Sequence, residues 1–211
     1  MTPTLTGRHV RLEALSFAHL PALQAAGADE SLWTYFVWSF AAPEAMRRFV
    51  ESALADQQAG TALPFAIVDV ASGATVGSTR FGMIDRHHRR AEIGWTWLAP
   101  ARQRGPLNTE MKYLMLRHAF ETLDLLRVEF KTDVLNEKSR RALERIGATQ
   151  EGIFRNHMVM HTGKIRDSVW FSVIDRDWPR VKAHLENLMC HPERSEASRS
   201  ARDPSSLRSS G

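Results

Sequence analysis

The chain has 211 residues, with 28 Lys and Arg against 24 Asp and Glu, a formal charge of +4. That length suits one domain with its own core, and the mild positive charge suits an anionic small ligand without demanding nucleic acid, because the arginines are scattered. The single cysteine, Cys190, excludes an intrachain disulfide framework and a cysteine-built zinc site, while no apolar run approaches the roughly 20 residues of a membrane span.

The N-terminal Met1-Thr-Pro-Thr-Leu-Thr-Gly lacks the plan of a signal peptide, so a cytoplasmic protein is expected. His9 to Glu13 alternate as a first strand, and helical periodicity runs from Phe17 to Ala26, where Gly27 stops it. The aromatic run Trp33-Thr-Tyr-Phe-Val-Trp-Ser-Phe40 follows. Pro43 then opens a helix that reaches Gly60. Phe65–Val70 and Thr75–Gly82 are predicted to form a hairpin, and Asp85–Arg90 a charged loop.

The segment from Glu92 to Glu110 carries the most information. Glu92, Gly94 and Thr96 alternate with Ile93, Trp95 and Trp97, as a strand requires, and Pro100 with Arg102-Gln103-Arg104-Gly105-Pro106 breaks the pattern. Asn108 or Thr109 is expected to cap a helix running to about Leu123, with Met111, Leu114, Met115, Ala119 and Leu123 on its apolar face. A helix start beside arginines is an anion site. One glycine in the turn is too few for a dinucleotide fingerprint, and no Gly-Lys-Ser/Thr follows for a Walker loop.

Leu126–Val134 reads as a strand, Asn136 as the cap of a short helix ended by Gly147, and Ile153–Met160 with Ile165–Ile174 as a second hairpin. Trp178–Leu188 is the last predicted helix. From residue 190 to 211 the chain is Ser- and Arg-rich and is expected to be disordered, leaving residues 1–189 as the domain.

In this order the chain resembles the GNAT superfamily of N-acetyltransferases, in the branch of the ribosomal-protein N-terminal (RimJ/RimL-type) enzymes. The matching pieces are Ala91-Glu-Ile-Gly94, Asn108-Thr-Glu110 with Leu114, Leu116 and His118-Ala-Phe120, Asn136-Glu-Lys-Ser139 with Leu143 and Gly147, Glu151-Gly152 and Arg155, Asp167-Ser168, and Asp177-Trp178. The resemblance covers about residues 8–188. It implies a mixed α/β fold whose central, mostly antiparallel sheet is splayed at the strand beside acetyl-CoA and flanked by helices. It also implies direct acetyl transfer from acetyl-CoA to a primary amine, either a protein N-terminus or a small molecule, with no metal, nucleic acid or membrane partner and a homodimer among the options. A non-catalytic acyl-CoA-binding module on the same fold is the alternative.

The resemblance places cofactor contacts at Trp97, Leu98, Arg102, Gln103, Arg104, Gly105, Leu107, Asn108, Thr109 and Asn136. Two positions depart from the family pattern: Pro106 replaces the key glycine of the turn, and Leu143 stands where many relatives carry a thiolate-protonating tyrosine. Glu92 is the candidate base, or else the partner of Arg89, Arg90 or another surface cation. Ser139 is the candidate at the sulfur, or else a first-turn capping residue. Trp33, Tyr35 and Trp38 are candidates for the acceptor wall, or else core. Arg155 can pair with Asp167 or touch the acceptor. His157 and His161 lie on a strand and turn, where they share no helix face for a metal.

Overall fold

The computed structural model describes residues 2–190. The expected tail lies outside the described residues except for Cys190. Eight strands form one sheet in the order β1-β2-β3-β4-β5-β6-β8-β7. They are β1 (Leu5–Thr6), β2 (Val10–Ala14), β3 (Leu63–Asp69), β4 (Thr75–Asp85), β5 (Arg90–Leu98), β6 (Arg127–Asp133), β7 (Thr149–Val159) and β8 (Ile165–Ile174). Every neighbouring pair is antiparallel except β5 with β6, which runs parallel. The mixed, mostly antiparallel class expected from the sequence is therefore the one found.

Among the described residues five α-helices cover the sheet: α1 (Leu20–Ala26), α2 (Pro43–Gln58), α3 (Leu107–Glu121), α4 (Glu137–Arg145) and α5 (Trp178–Cys190). Two apolar clusters fill the layers. One gathers Met111, Leu114 and Met115 of α3 and Val181 and Leu185 of α5 against Phe65, Ile93, Val128 and Phe171 of the sheet. The other joins Leu20 and Leu23 of α1 and Met46, Phe49 and Val50 of α2 to Trp33 and Trp97. Trp33 is completely buried, donates Nε1–H to the Gly27 carbonyl at 3.0 Å, and meets Phe36, Phe40 and Trp97 edge to face. It belongs to the core, which corrects its candidacy as an acceptor residue.

The expected cap of α3 is also corrected. The helix starts at Leu107, with Pro106 as N-cap at φ −70° and no side-chain cap bond. Proline sets the helical φ in advance, so Asn108 and Thr109 already lie inside the first turn. Asn136 does cap α4, its Oδ1 accepting the Ser139 N–H at 3.0 Å. The last helix runs on to Cys190, two residues past the expected Leu188.

One tie fixes the N-terminus to α3. The Glu110 carboxylate is buried and accepts the backbone N–H groups of Arg8, His9 and Val10 at 2.7, 2.6 and 2.8 Å. A Cβ added at Gly7 would come within 2.5 Å of that carboxyl carbon, so glycine is the residue that fits there.

Candidate active site

The site is a fork between β5 and β6. The two strands pair at Arg90↔Arg127, Ala91↔Val128 and Glu92↔Glu129 and then part. Beyond Glu92, the edge of β5 that faces β6 has no strand partner, so its peptide groups are available to a ligand.

Trp95 makes β5 irregular. Its φ is +50°, and the register with β4 shifts between Ser78 and Arg80. Such a bulge reverses the faces of the strand. Ala91 and Ile93 pack towards α3, Trp95 and Trp97 towards α2, and Leu98 towards α3 again. The unbroken alternation expected of Glu92 to Trp97 is corrected accordingly. The Trp95 ring lies over Gly82, where a Cβ would come within 2.3 Å, and carries the Arg80 guanidinium at 4.6 Å.

A cavity of about 560 Å³ opens at the fork. At the turn after β5 it is lined by Gln103, Arg104 and Asn108, with Asn136, Lys138 and Ser139 of the α4 region. The N-terminus of α3 points its unpaired N–H groups here. Glu110 is the first residue of the turn whose N–H finds a helical acceptor, the Pro106 carbonyl at 3.0 Å. Arg104, at φ +65°, and Lys138 add positive charge, and burial followed by Arg104 lowers the pKa of Lys138. These groups suit a pyrophosphate.

The expected cofactor residues divide. Trp97, Leu98, Gln103, Arg104, Asn108 and Asn136 line the cavity. Gln103 is braced at both ends, donating to the Leu98 carbonyl at 2.8 Å and accepting from Lys138. Arg102 instead turns to Asp69 Oδ2 at 3.0 Å. The Leu107 side chain enters the core, and the Thr109 hydroxyl meets Arg145 at 2.6 Å. Leu107 and Thr109 can therefore serve a ligand only through their backbone N–H groups. The same holds for Gly105, which stands in open space.

Glu92 lies where the strands part, 6% exposed, with Oε2 accepting from Lys131 Nζ at 3.2 Å. Its partner is this lining lysine and not Arg89 or Arg90, which pair with Asp124 and with Asp85 and Glu129. Ser139 lines the cavity too; its N–H is taken by Asn136, and among the described residues its hydroxyl makes no hydrogen bond.

Four charged groups of the cavity are not among the site residues expected from the sequence: Lys138, described above, and Lys112, Lys131 and Arg166. Lys112 of α3 is buried, donates to Thr96 Oγ1 at 3.3 Å and sits 5.1 Å from the Phe130 ring centre. Burial, opposed by Glu92, lowers its pKa to about 7. Lys131 pairs with Glu92, and Arg166 reaches the cavity from β8. A lone lysine in a helix pattern normally signals a solvated face, so only the fork reveals Lys112.

The far wall is the aromatic segment. Tyr35 and Trp38 line the cavity and are 36% and 63% exposed. The segment is fastened by Arg166 Nη1 to the Tyr35 carbonyl at 3.1 Å and by the His161 N–H to the Val37 carbonyl at 2.8 Å. Arg155 is exposed and away from the cavity, and Asp167 accepts the Asn156 N–H at 2.7 Å instead of pairing with it. Among the described residues no group of three His, Cys, Asp or Glu could hold a metal, and no helix is long and apolar enough to cross a membrane.

With this geometry in place, the profile of the acetyltransferase (GNAT) domain matches residues 9–149. The chain belongs to the GNAT acetyltransferase family. YdaF of Bacillus subtilis (strain 168), provisionally named a ribosomal N-acetyltransferase, is 35% identical over 110 residues, which is 52% of this chain and 59% of YdaF. The chain spans between 55% and 66% of the length of the curated relatives it matches. A GCN5-related N-acetyltransferase from Brucella melitensis superposes with a TM-score of 0.82 at 34% identity, covering 90% of this chain and 86% of that one. Mycobacterium smegmatis RimJ, solved in complex with CoA-disulfide, shares the fold at a TM-score of 0.75 and 23% identity, over 87% of this chain and 89% of its own.

Proposed function

We propose that the protein transfers the acetyl group of acetyl-CoA directly to a primary amine. The observation that carries this reading is the fork. A single cavity joins the N-terminus of α3, the unpaired edge of β5 and the buried carboxylate of Glu92.

The chain's residues divide the work. Arg104, Lys138 and the N–H groups of Gly105, Leu107, Asn108 and Thr109 hold the pyrophosphate. The free edge of β5 and the Asn136 side chain hold the pantetheine arm. Glu92 takes the proton of the acceptor ammonium, directly or through water. The amine nitrogen then attacks the thioester carbon, the C–N bond forms and the C–S bond breaks. A backbone N–H of the Trp95–Leu98 stretch faces the carbonyl oxygen, where such a donor is worth about 10²–10³ in rate. The thiolate leaves with a proton, and Ser139 positions the sulfur or a water beside it. Acetyl-CoA and the ammonium become the amide, free coenzyme A and one proton.

Leu143 favours a second reading, because it is buried, lines the cavity and has no proton to give where the family resemblance implies a tyrosine in many relatives. On that reading the protein binds acyl-CoA without turning it over. Thiol release with acetyl-CoA and a panel of amines and peptides separates the two. Acceptor-dependent release supports the transferase, and tight coenzyme binding without release on any acceptor overturns it.

A further inference from the structure

The cavity holds more buried positive charge than its carboxylate answers. Glu92 is already engaged by Lys131 at 3.2 Å. Arg166, 7% exposed, also lines the cavity. Its Nε donates to Ser168 Oγ at 3.1 Å and its Nη1 to the Tyr35 carbonyl at 3.1 Å. Both acceptors are neutral, and among the described residues Nη2 has no acceptor.

The charges facing this guanidinium do not neutralise it. Asp133 and Glu92 attract it, yet neither lies within ion-pair distance. Asp133 Oδ1 is occupied by the Leu135 N–H at 2.8 Å. Lys131 adds to the positive side, while His157, whose pKa is lowered by burial, Lys131 and Arg166, is a neutral neighbour with Nδ1 sharing Ser168 Oγ at 3.0 Å. Burial lowers the pKa of Arg166, as expected for a cation with no counter-ion in contact. A buried guanidinium of this kind is costly unless an anion completes it. The Tyr35 carbonyl and Ser168 hydroxyl fix its plane, so the remaining N–H edge is set for a carboxylate before any arrives.

We propose that Arg166 receives a carboxylate borne by the acceptor, so that the site acetylates amino-carboxylates. This rests on the acetyltransferase reading above and names its acceptor class. An amino-carboxylate presents an ammonium and a carboxylate; the cavity presents Glu92 and Arg166. Tyr35, Trp38 and Met158 supply apolar surface on the same cavity. Two sources carry this chemistry, a free amino acid and a peptide with an acidic residue near its N-terminus.

The test measures kcat/KM by thiol release on matched acceptors. Amino acids are compared with their carboxamides, and peptides bearing Asp or Glu with their Asn or Gln counterparts. The acid of a pair is expected to win by about 10- to 100-fold, mainly through KM, the scale of a charge-assisted hydrogen bond. The arm that shows the preference identifies the source. Arg166→Gln should abolish the preference and Arg166→Lys should keep part of it. If Arg166→Gln does not fold, the wild-type ratios decide alone. Equal rates on acids and amides overturn the inference while leaving the acetyltransferase reading intact. Absence of turnover on every amine overturns both.

Discussion

Two buried glutamates of similar exposure have opposite surroundings. Glu110 is 7% exposed and accepts three backbone N–H groups from residues 8–10. Glu92 is 6% exposed and has one lysine Nζ at 3.2 Å and a cavity beside it. A buried carboxylate must be hydrogen-bonded or paired to persist. At Glu110 the protein supplies every bond from its own backbone, so the charge is spent on holding the first strands to α3. At Glu92 the protein leaves capacity unused, and that unused capacity is what a reacting ammonium can take up. On the proposed reaction, degree of satisfaction, more than burial, separates the structural glutamate from the chemical one.

The sharpest way to break that contrast is Glu92→Gln. Turnover should fall about 10²–10³-fold, with coenzyme affinity and melting temperature little changed. Unchanged turnover in the thiol-release assay would remove Glu92 from the chemistry. The mirror experiment is Glu110→Ala, which strands three N–H donors. It should cost roughly 3 kcal/mol or more in denaturant unfolding while the remaining folded protein keeps its turnover. A variant that stays as stable as the parent would show that the tie contributes nothing.

Lys112 extends the contrast to a cation. Its folded pKa is about 7 against an ordinary 10.5. Between those values the unfolded chain holds the proton and the folded one does not, so the wild type gains stability as pH rises through that window. Lys112→Met should therefore be the more stable protein at about pH 6, by roughly 2–4 kcal/mol, with the gap closing towards pH 10. Unfolding curves of both proteins across that range check it, and a gap independent of pH would count against a charged lysine at this site. The smallest effect separates two neighbouring arginines. Arg104 faces the cavity while Arg102 is held by Asp69. Arg104→Ala should weaken coenzyme A binding about 10-fold by calorimetry, and Arg102→Ala should leave it unchanged. Equal losses would place both at the phosphates.

The sequence shows what local rules decide. The cap at Asn136 was legible because an Asn ahead of a helical pattern has one common use. The hairpins at residues 65–82 and 153–174 were legible from alternation broken by turn residues. The switch of faces at Trp95 was not, because a bulge depends on how β4 pairs with β5. Arg102 reads as a phosphate ligand in the sequence, and only the fold brings Asp69, distant in the chain, beside it. Lys112 and Arg166 were invisible as site residues for the same reason: their burial follows from two strands parting, and no periodicity records that.

The bend at Trp95 has a consequence for how this scaffold tolerates change. Flattening this bulge with every residue kept would swing the indoles of Trp95 and Trp97 onto the opposite layer, and leave Gly82 and Arg80 without the ring they hold. Lengthening or shortening the surface turns would do no such damage. The constraint at this stretch thus falls on its backbone conformation, with Trp95 held at φ +50°, more than on its length.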